Sequence, residues 1–168
     1  MSPLFKWRQA VSKLNGPPQT TAPIIRKPYN DAELRSLAAI WKRAVEATHH
    51  FLTPSDIAGY EPRVRNDYLP RVEVWVAVDE TDIPVGFIGL AGSKIEMLFV
   101  DPIAHGGGFG SALVDAVAAH HDTLTVDVNE QNPDAHEWYL RRGFEQTGRS
   151  TEDSDGRPFP LLHLRRTN

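Results

Sequence analysis

The chain contains no cysteine, which excludes disulfides, thiolate metal ligands and cysteine nucleophiles together. No apolar run approaches the roughly 18 residues of a membrane span, and the start lacks the apolar core of a signal peptide. The expectation is a cytoplasmic protein with no membrane partner. No His-Glu-x-x-His or comparable ligand spacing occurs, so no metal is predicted. Acids are missing from the first 27 residues, which hold Lys6, Arg8, Lys13, Arg26 and Lys27. The remainder carries the other 13 basic residues and all 22 acids, a net of −9. An acidic body argues against nucleic acid as a partner and favours cationic substrates.

What is present fits one domain, since 168 residues can bury about two thirds of their unfolded surface. Residues 1–23 read as an appendage: FKWRQAVSKL sets Trp7, Val11 and Leu14 on one helical face, and NGPPQTTAP is a linker. Residues 24–168 form the domain. PIIRKP is a short strand. Asn30 to Glu33 has capping-box spacing, and Leu34, Leu37, Trp41 and Val45 then share a helical face to about Thr48. TPSDIAGYEPRVRNDYL is a second helical piece, expected to break at Pro62. VEVWVAVDE, PVGFIGLAG and KIEMLFVDP are strands, joined by DETDIP and by a tight turn at Ser93–Lys94. SALVDAVAAHH and PDAHEWYLRRG are helices; LTVDV, FEQTGRS and FPLLHLR are strands. The order β-α-α-β-β-β-α-β-α-β-β predicts an α/β (α+β) mixed sheet with helices on both faces. FPLLHLR can serve its own sheet or a partner's, which leaves a homodimer open.

HGGGFGSAL, residues 105–113, puts four glycines at a helix entrance, where each lowers stability. Free N–H groups and the helix dipole there suit phosphates. A Walker loop is excluded, because Gly110 is followed by Ser111 and Ala112 with no lysine. A dinucleotide fingerprint can use Gly106 and Gly108, with Asp127 for the ribose. It lacks the third glycine, and DPIAH separates strand from loop.

FVDPIAHGGGFGSALV instead resembles the pyrophosphate loop of the GNAT superfamily of N-acetyltransferases, with His105, Gly106, Gly107, Gly108, Phe109 and Gly110 at its six positions. NPDAHEWYLRRGF resembles the superfamily's second signature at the expected separation. AIWKRAVEATHHFL, VWVAV, PVGF, VNEQN and TGRSTEDSDGRPFPLLHL extend the likeness over about residues 24–166, toward a branch that acts on peptidyl lysine or a broad range of amines. The resemblance implies a six- or seven-stranded sheet splayed into a V, about four helices, and acetyl-CoA lying in the split. It departs from the family at His105, where Arg or Gln is usual, and at Gly107, where a basic residue is common. Weaker cofactor binding, or binding that improves as pH falls, is the expectation.

The implied reaction is direct attack of an amine on acetyl-CoA, with no acyl-enzyme. An alkyl amine of pKa about 10.4 needs help to lose its proton at neutral pH. Tyr139 matches the family's acid for the departing thiolate, against the plainer reading of a ring packed on the sheet. Glu96 is the candidate base, against that of an ordinary polar strand residue. Leu98, Phe99 and Val100 should offer backbone groups to the pantetheine arm, as a peptide adds to a sheet edge. Ser111, Asn132 and Ala135 complete the cofactor set. His49 (or its neighbour His50), Asp127 and Asn129 are placed for the acceptor, a small-molecule or peptidyl amine. Glu130 reads as solvated, and His120 and His121 as a helix end. Arg141 and Arg142 reach either an outer phosphate or solvent. Residues around Phe87, Leu98 and Tyr139 would decide whether a bulkier acyl group fits. The alternative from another class is an acyl-CoA sensor without turnover.

Overall fold

The computed structural model describes residues 22–50 and 52–168, so the basic stretch holding Trp7, Val11 and Leu14 lies outside the described residues. The elements run β1 (Ile24–Arg26), α1 (Asp31–Thr48), α2 (Pro54–Arg63), β2 (Glu73–Val78), β3 (Pro84–Ala91), β4 (Lys94–Val100), α3 (Phe109–Ala118), β5 (Thr123–Asn129), α4 (Pro133–Leu140), β6 (Glu145–Ser150) and β7 (Leu161–Thr167). Among the described residues these make one seven-stranded sheet, β1-β2-β3-β4-β5-β7-β6. Its central pair, β4 and β5, is parallel; the others are antiparallel. The C-terminal strand β7 thus lies inside its own sheet.

Local chemistry explains the helices. Asn30 accepts the Glu33 N–H at 2.9 Å, starting α1, while the Glu33 carboxylate turns back to the Tyr29 N–H and to Arg26. Thr53 and Asp56 form a reciprocal capping box on α2. Pro62 does not end that helix. α2 continues to Arg63 and is followed by a π-helical turn, Val64–Tyr68. The hairpin turn is Gly92–Ser93, not Ser93–Lys94: Ala91 pairs with Lys94, and Gly92 takes φ +60, which suits the first position of a tight hairpin turn.

Two cores sandwich the sheet. Leu37, Trp41 and Val45 of α1, with Ile57, Val64 and Tyr68, pack on Val76, Phe87, Met97 and Phe99. Leu113, Val114 and Val117 of α3, with Ala135 and Tyr139 of α4, pack on Ile88, Leu98, Val126 and Leu164. The 3.6-residue and two-residue periodicities of these segments point their apolar faces at each other.

His49 closes α1 and is buried, its Nδ1 2.8 Å from the Thr48 hydroxyl. Burial, with a smaller contribution from His50, holds its pKa down to about 4 from the usual 6.5. The folded chain therefore resists a proton that the unfolded chain takes up near 6.5. The resulting stability is complete above that pH and lost as pH falls toward 4, about 3 kcal/mol in all. Comparing urea midpoints at pH 7.5 and 4.5 should show the parent losing about 2–3 kcal/mol more than His49→Gln. Equal losses would remove His49 as the cause.

Candidate active site

The site begins where the sheet comes apart. β4 and β5 pair only at Lys94↔Thr125 and Ile95↔Val126, and beyond that level they diverge. The cause is local. Gly89 faces Met97 and Leu90 faces Ile95, so Glu96 is an extra residue, a β-bulge at the apex of the split. The next residues along the two strands are Glu96 and Asp127, both half-buried.

Above the apex, β4 presents an inner edge. The Asp101 N–H donates to the Val85 carbonyl at 2.7 Å, which fixes the antiparallel alternation. Phe99 must then exchange its backbone bonds with Phe87 on β3, while Leu98 and Val100 point theirs into the split. Of the three edge residues expected to meet a pantetheine arm, Phe99 is thus already engaged. Asp101 is buried, accepts the Ile103 N–H and pairs with Arg43 at 2.6 Å, which ties the end of β4 to α1.

The loop then meets α3. Ala112 donates to the Gly108 carbonyl at 3.0 Å, closing the first turn. The N–H groups of Gly108, Phe109, Gly110 and Ser111 precede it and are free among the described residues, as at any helix start. The four glycines have distinct reasons. Gly106 and Gly108 hold φ of +80 and +79, a region where side chains are strained. A Cβ on Gly107 would lie 2.8 Å from the Phe109 ring, and one on Gly110 would lie 3.1 Å from Trp138. Among the described residues, a Cβ on Gly108 would meet nothing within 4 Å, so this position faces open space.

His105 is not turned outward as a substitute for the family's arginine. Its Nε2 donates to the Val100 carbonyl at 2.9 Å, and its Nδ1 is buried. The ring ties the loop to the strand end instead of facing a phosphate. Positive charge comes from the turn after α4. Arg142 lies over the Trp138 ring at 3.5 Å and donates to the Ser111 hydroxyl at 2.8 Å and to the Trp138 carbonyl at 2.8 Å. Arg141 is exposed and paired with Glu137. Charge-assisted bonds contribute roughly 1.5–3 kcal/mol, so Arg142→Gln should raise the acetyl-CoA Kd about 10-fold, measured calorimetrically. The penalty should shrink in high salt.

Trp138 abuts Tyr139, which stands between it and Phe144 in edge-on contacts, with ring centroids 4.9 and 5.0 Å away. Tyr139 is fully buried, and among the described residues its hydroxyl has no hydrogen-bond partner. Burial pushes its ionisation above the usual phenol range, so it is a proton donor at neutral pH. Asn132 caps α4 by accepting the Ala135 N–H, and Ala135 is sealed in the core. Asn129 accepts the Gln131 N–H at 2.8 Å. Among the histidines at the end of α1, His49 is buried and His50 exposed. His163 of β7 was missed in the sequence reading: its Nδ1 lies 2.7 Å from Asp127. Among the described residues, no group of three or more His, Asp or Glu could hold a metal ion, and no helix is long and apolar enough to cross a membrane.

A split sheet, an open glycine at a helix entrance and a buried donor beside them define a protein that holds a phosphate-tailed acyl carrier and works at its acyl end. The chain belongs to the GNAT acetyltransferases: the family described as "Acetyltransferase (GNAT) domain" matches residues 38–160. It is an acetyl-CoA-dependent N-acetyltransferase. It is 46% identical over 132 residues to Peptidyl-lysine N-acetyltransferase YjaB of Salmonella typhimurium, covering 79% of this chain and 90% of that one. The solution structure of apo-form YjaB from Escherichia coli aligns with a TM-score of 0.74 at 43% identity, covering 86% of this chain and 97% of that one. The PaiA N-acetyltransferase of Thermoplasma acidophilum, crystallised with coenzyme A, shares the fold at a TM-score of 0.70 and 14% identity, over 88% of this chain and 100% of that one.

Proposed function

We propose that the acceptor is the side-chain amine of a lysine in a peptide or protein. Support comes from the YjaB relatives and from an acidic body that favours a cationic acceptor. Leu98 and Val100 align the arm of acetyl-CoA along the inner edge of β4. The free N–H groups from Gly108 to Ser111, backed by Arg142, hold its phosphates. Glu96 and Asp127 at the apex attract the incoming ammonium.

The observation that carries the mechanism is the Tyr139 hydroxyl, buried and without a partner among the described residues. Such a group normally finds one, so its retention fits a donor kept for the sulfur. The neutral amine attacks the thioester carbon, the C–S bond breaks, and Tyr139 protonates the thiolate. The proton shed by the acetylated nitrogen restores the phenol.

Turnover is read by a thiol reagent on released CoA, free of protein background because the chain has no cysteine. Lysine peptides, the same peptides with lysine blocked, and free polyamines should be compared, with mass spectrometry locating the acetyl group. Acetylation that persists on blocked peptides, or only on polyamines, would refute the lysine assignment.

A further inference from the structure

Four polar side chains from four adjacent strands make a continuous row. The Ser150 hydroxyl of β6 lies 2.6 Å from Nε2 of His163 in β7, and Nδ1 of that ring lies 2.7 Å from Oδ1 of Asp127 in β5. Oδ2 of Asp127 lies 2.7 Å from the Lys94 ammonium at the start of β4. Leu124, Val126, Val128, Leu162 and Leu164 face the core under α3 and α4. Strand alternation therefore puts Asp127 and His163 on the opposite face. There α1 lies over β3 and β4, and the His163 side chain stays 36% exposed. The row runs from this open face to the apex of the split.

We infer that His163 takes the proton from the acceptor ammonium, with Asp127 as its positioning residue and Ser150 as a hydroxyl bridge; this rests on the acetyl-transfer reading above.

The chemistry follows from the hydrogen bonds. Burial pushes the Asp127 carboxyl up, but bonds from His163 and Lys94 outweigh it and hold the group below its ordinary range. Asp127 is therefore ionised and accepts only. It fixes the imidazole hydrogen on Nδ1 and leaves the Nε2 lone pair toward Ser150. Two donors already engage the Asp127 carboxylate, which makes it a poor base, whereas an imidazole is the side chain suited to proton exchange near neutral pH. The step balances. On the open face, before the acceptor reaches the apex, its ammonium gives one proton to the Ser150 oxygen as the Ser150 hydrogen passes to Nε2. The products are a neutral amine and an imidazolium stabilised by Asp127, and the imidazolium returns its proton to solvent.

Other groups around the ring are accounted for. Thr147 of β6 donates to the His163 carbonyl at 3.3 Å. Arg149, next to Ser150, is paired with Glu130 at 2.7 Å. Arg165, two residues along β7, is exposed. Among the described residues, Asp127 and Ser150 are the partners of the two ring nitrogens.

The test is the pH profile of kcat/KM for a lysine peptide in the parent, His163→Gln, Asp127→Asn and Glu96→Gln. In His163→Gln, activity at pH 7 should fall about 100-fold. It should recover as pH rises toward the ionisation of the lysine amine, about 10.4, while the Kd of acetyl-CoA stays fixed. A fall by the same factor at every pH means a structural role and overturns the inference. An acid limb that persists in His163→Gln and disappears in Glu96→Gln overturns it in favour of Glu96. So does an acetyl ester found on Ser150. A nitrogen-15 spectrum decides independently of turnover. The His163 resonance, assigned by its loss in His163→Gln, should show hydrogen on Nδ1 in the parent and redistribution in Asp127→Asn. Hydrogen on Nε2 in the parent overturns the inference even if no substrate turns over, whereas a parent that binds no acetyl-CoA overturns the underlying reading instead.

Discussion

Tyr139→Phe should slow acetyl transfer by roughly 10²- to 10⁴-fold, the usual contribution of a positioned acid, and at the same time make the protein more stable. The two effects have one cause. The hydroxyl is buried with no partner, and an unsatisfied buried polar group costs about 1–3 kcal/mol. Phenylalanine keeps the ring and its contacts with Trp138 and Phe144, so removing the oxygen relieves that cost. A gain of about 1 kcal/mol raises Tm by about 2–4 °C in a domain of this size. Because the donor acts only as the C–S bond breaks, kcat and kcat/KM should fall together while the acetyl-CoA Kd holds. Unchanged turnover would remove Tyr139 from the chemistry. Lost stability would mean that the hydroxyl has a partner in solution.

Gly108→Ala should weaken acetyl-CoA binding by about 100-fold, the equivalent of losing one or two charge-assisted bonds. The methyl would project into the open space at the start of α3, where the free amides converge. It also places alanine at φ +79, a strain of about 1–2 kcal/mol. Gly92→Ala separates these effects. That glycine also has positive φ, +60, with nothing within 4 Å of its would-be Cβ, but it sits in the β3–β4 turn at the closed end of the sheet. Both variants should melt earlier, and only Gly108→Ala should fail in calorimetric titration. Equal Kd values in the two would show that the loop does not meet the ligand.

The parts of this molecule legible in its sequence are those governed by near neighbours. Helix caps, strand alternation and the glycine cluster each depend on a few consecutive residues, and the element order followed from them. Pro62 was read as a break, whereas α2 carries it to Arg63 and the chain goes on into a π turn. The bulge at Glu96 depends on the register between β3 and β4, which no single strand records. His163 was missed for a related reason. In FPLLHLR it is one polar residue in an alternating strand, and its meaning comes from Asp127, 36 positions earlier. Sequence could locate Tyr139 but not show that its hydroxyl lacks a partner. His105 was misjudged because the loop folds its ring inward, a matter of three-dimensional closure.

The two-rung join between β4 and β5 has a consequence for the whole molecule. It divides the sheet into two leaves hinged along a short spine, with the core under α3 and α4 reaching across both. A cosubstrate whose arm lies between them acts as a missing strand and fastens the leaves together. Ligand at 100 times its Kd adds about 2.7 kcal/mol to folding stability, and here that energy falls on the seam. Amide exchange should slow most at Leu98 and Val100, and the lifetime of the chain against proteases should then follow the acetyl-CoA supply.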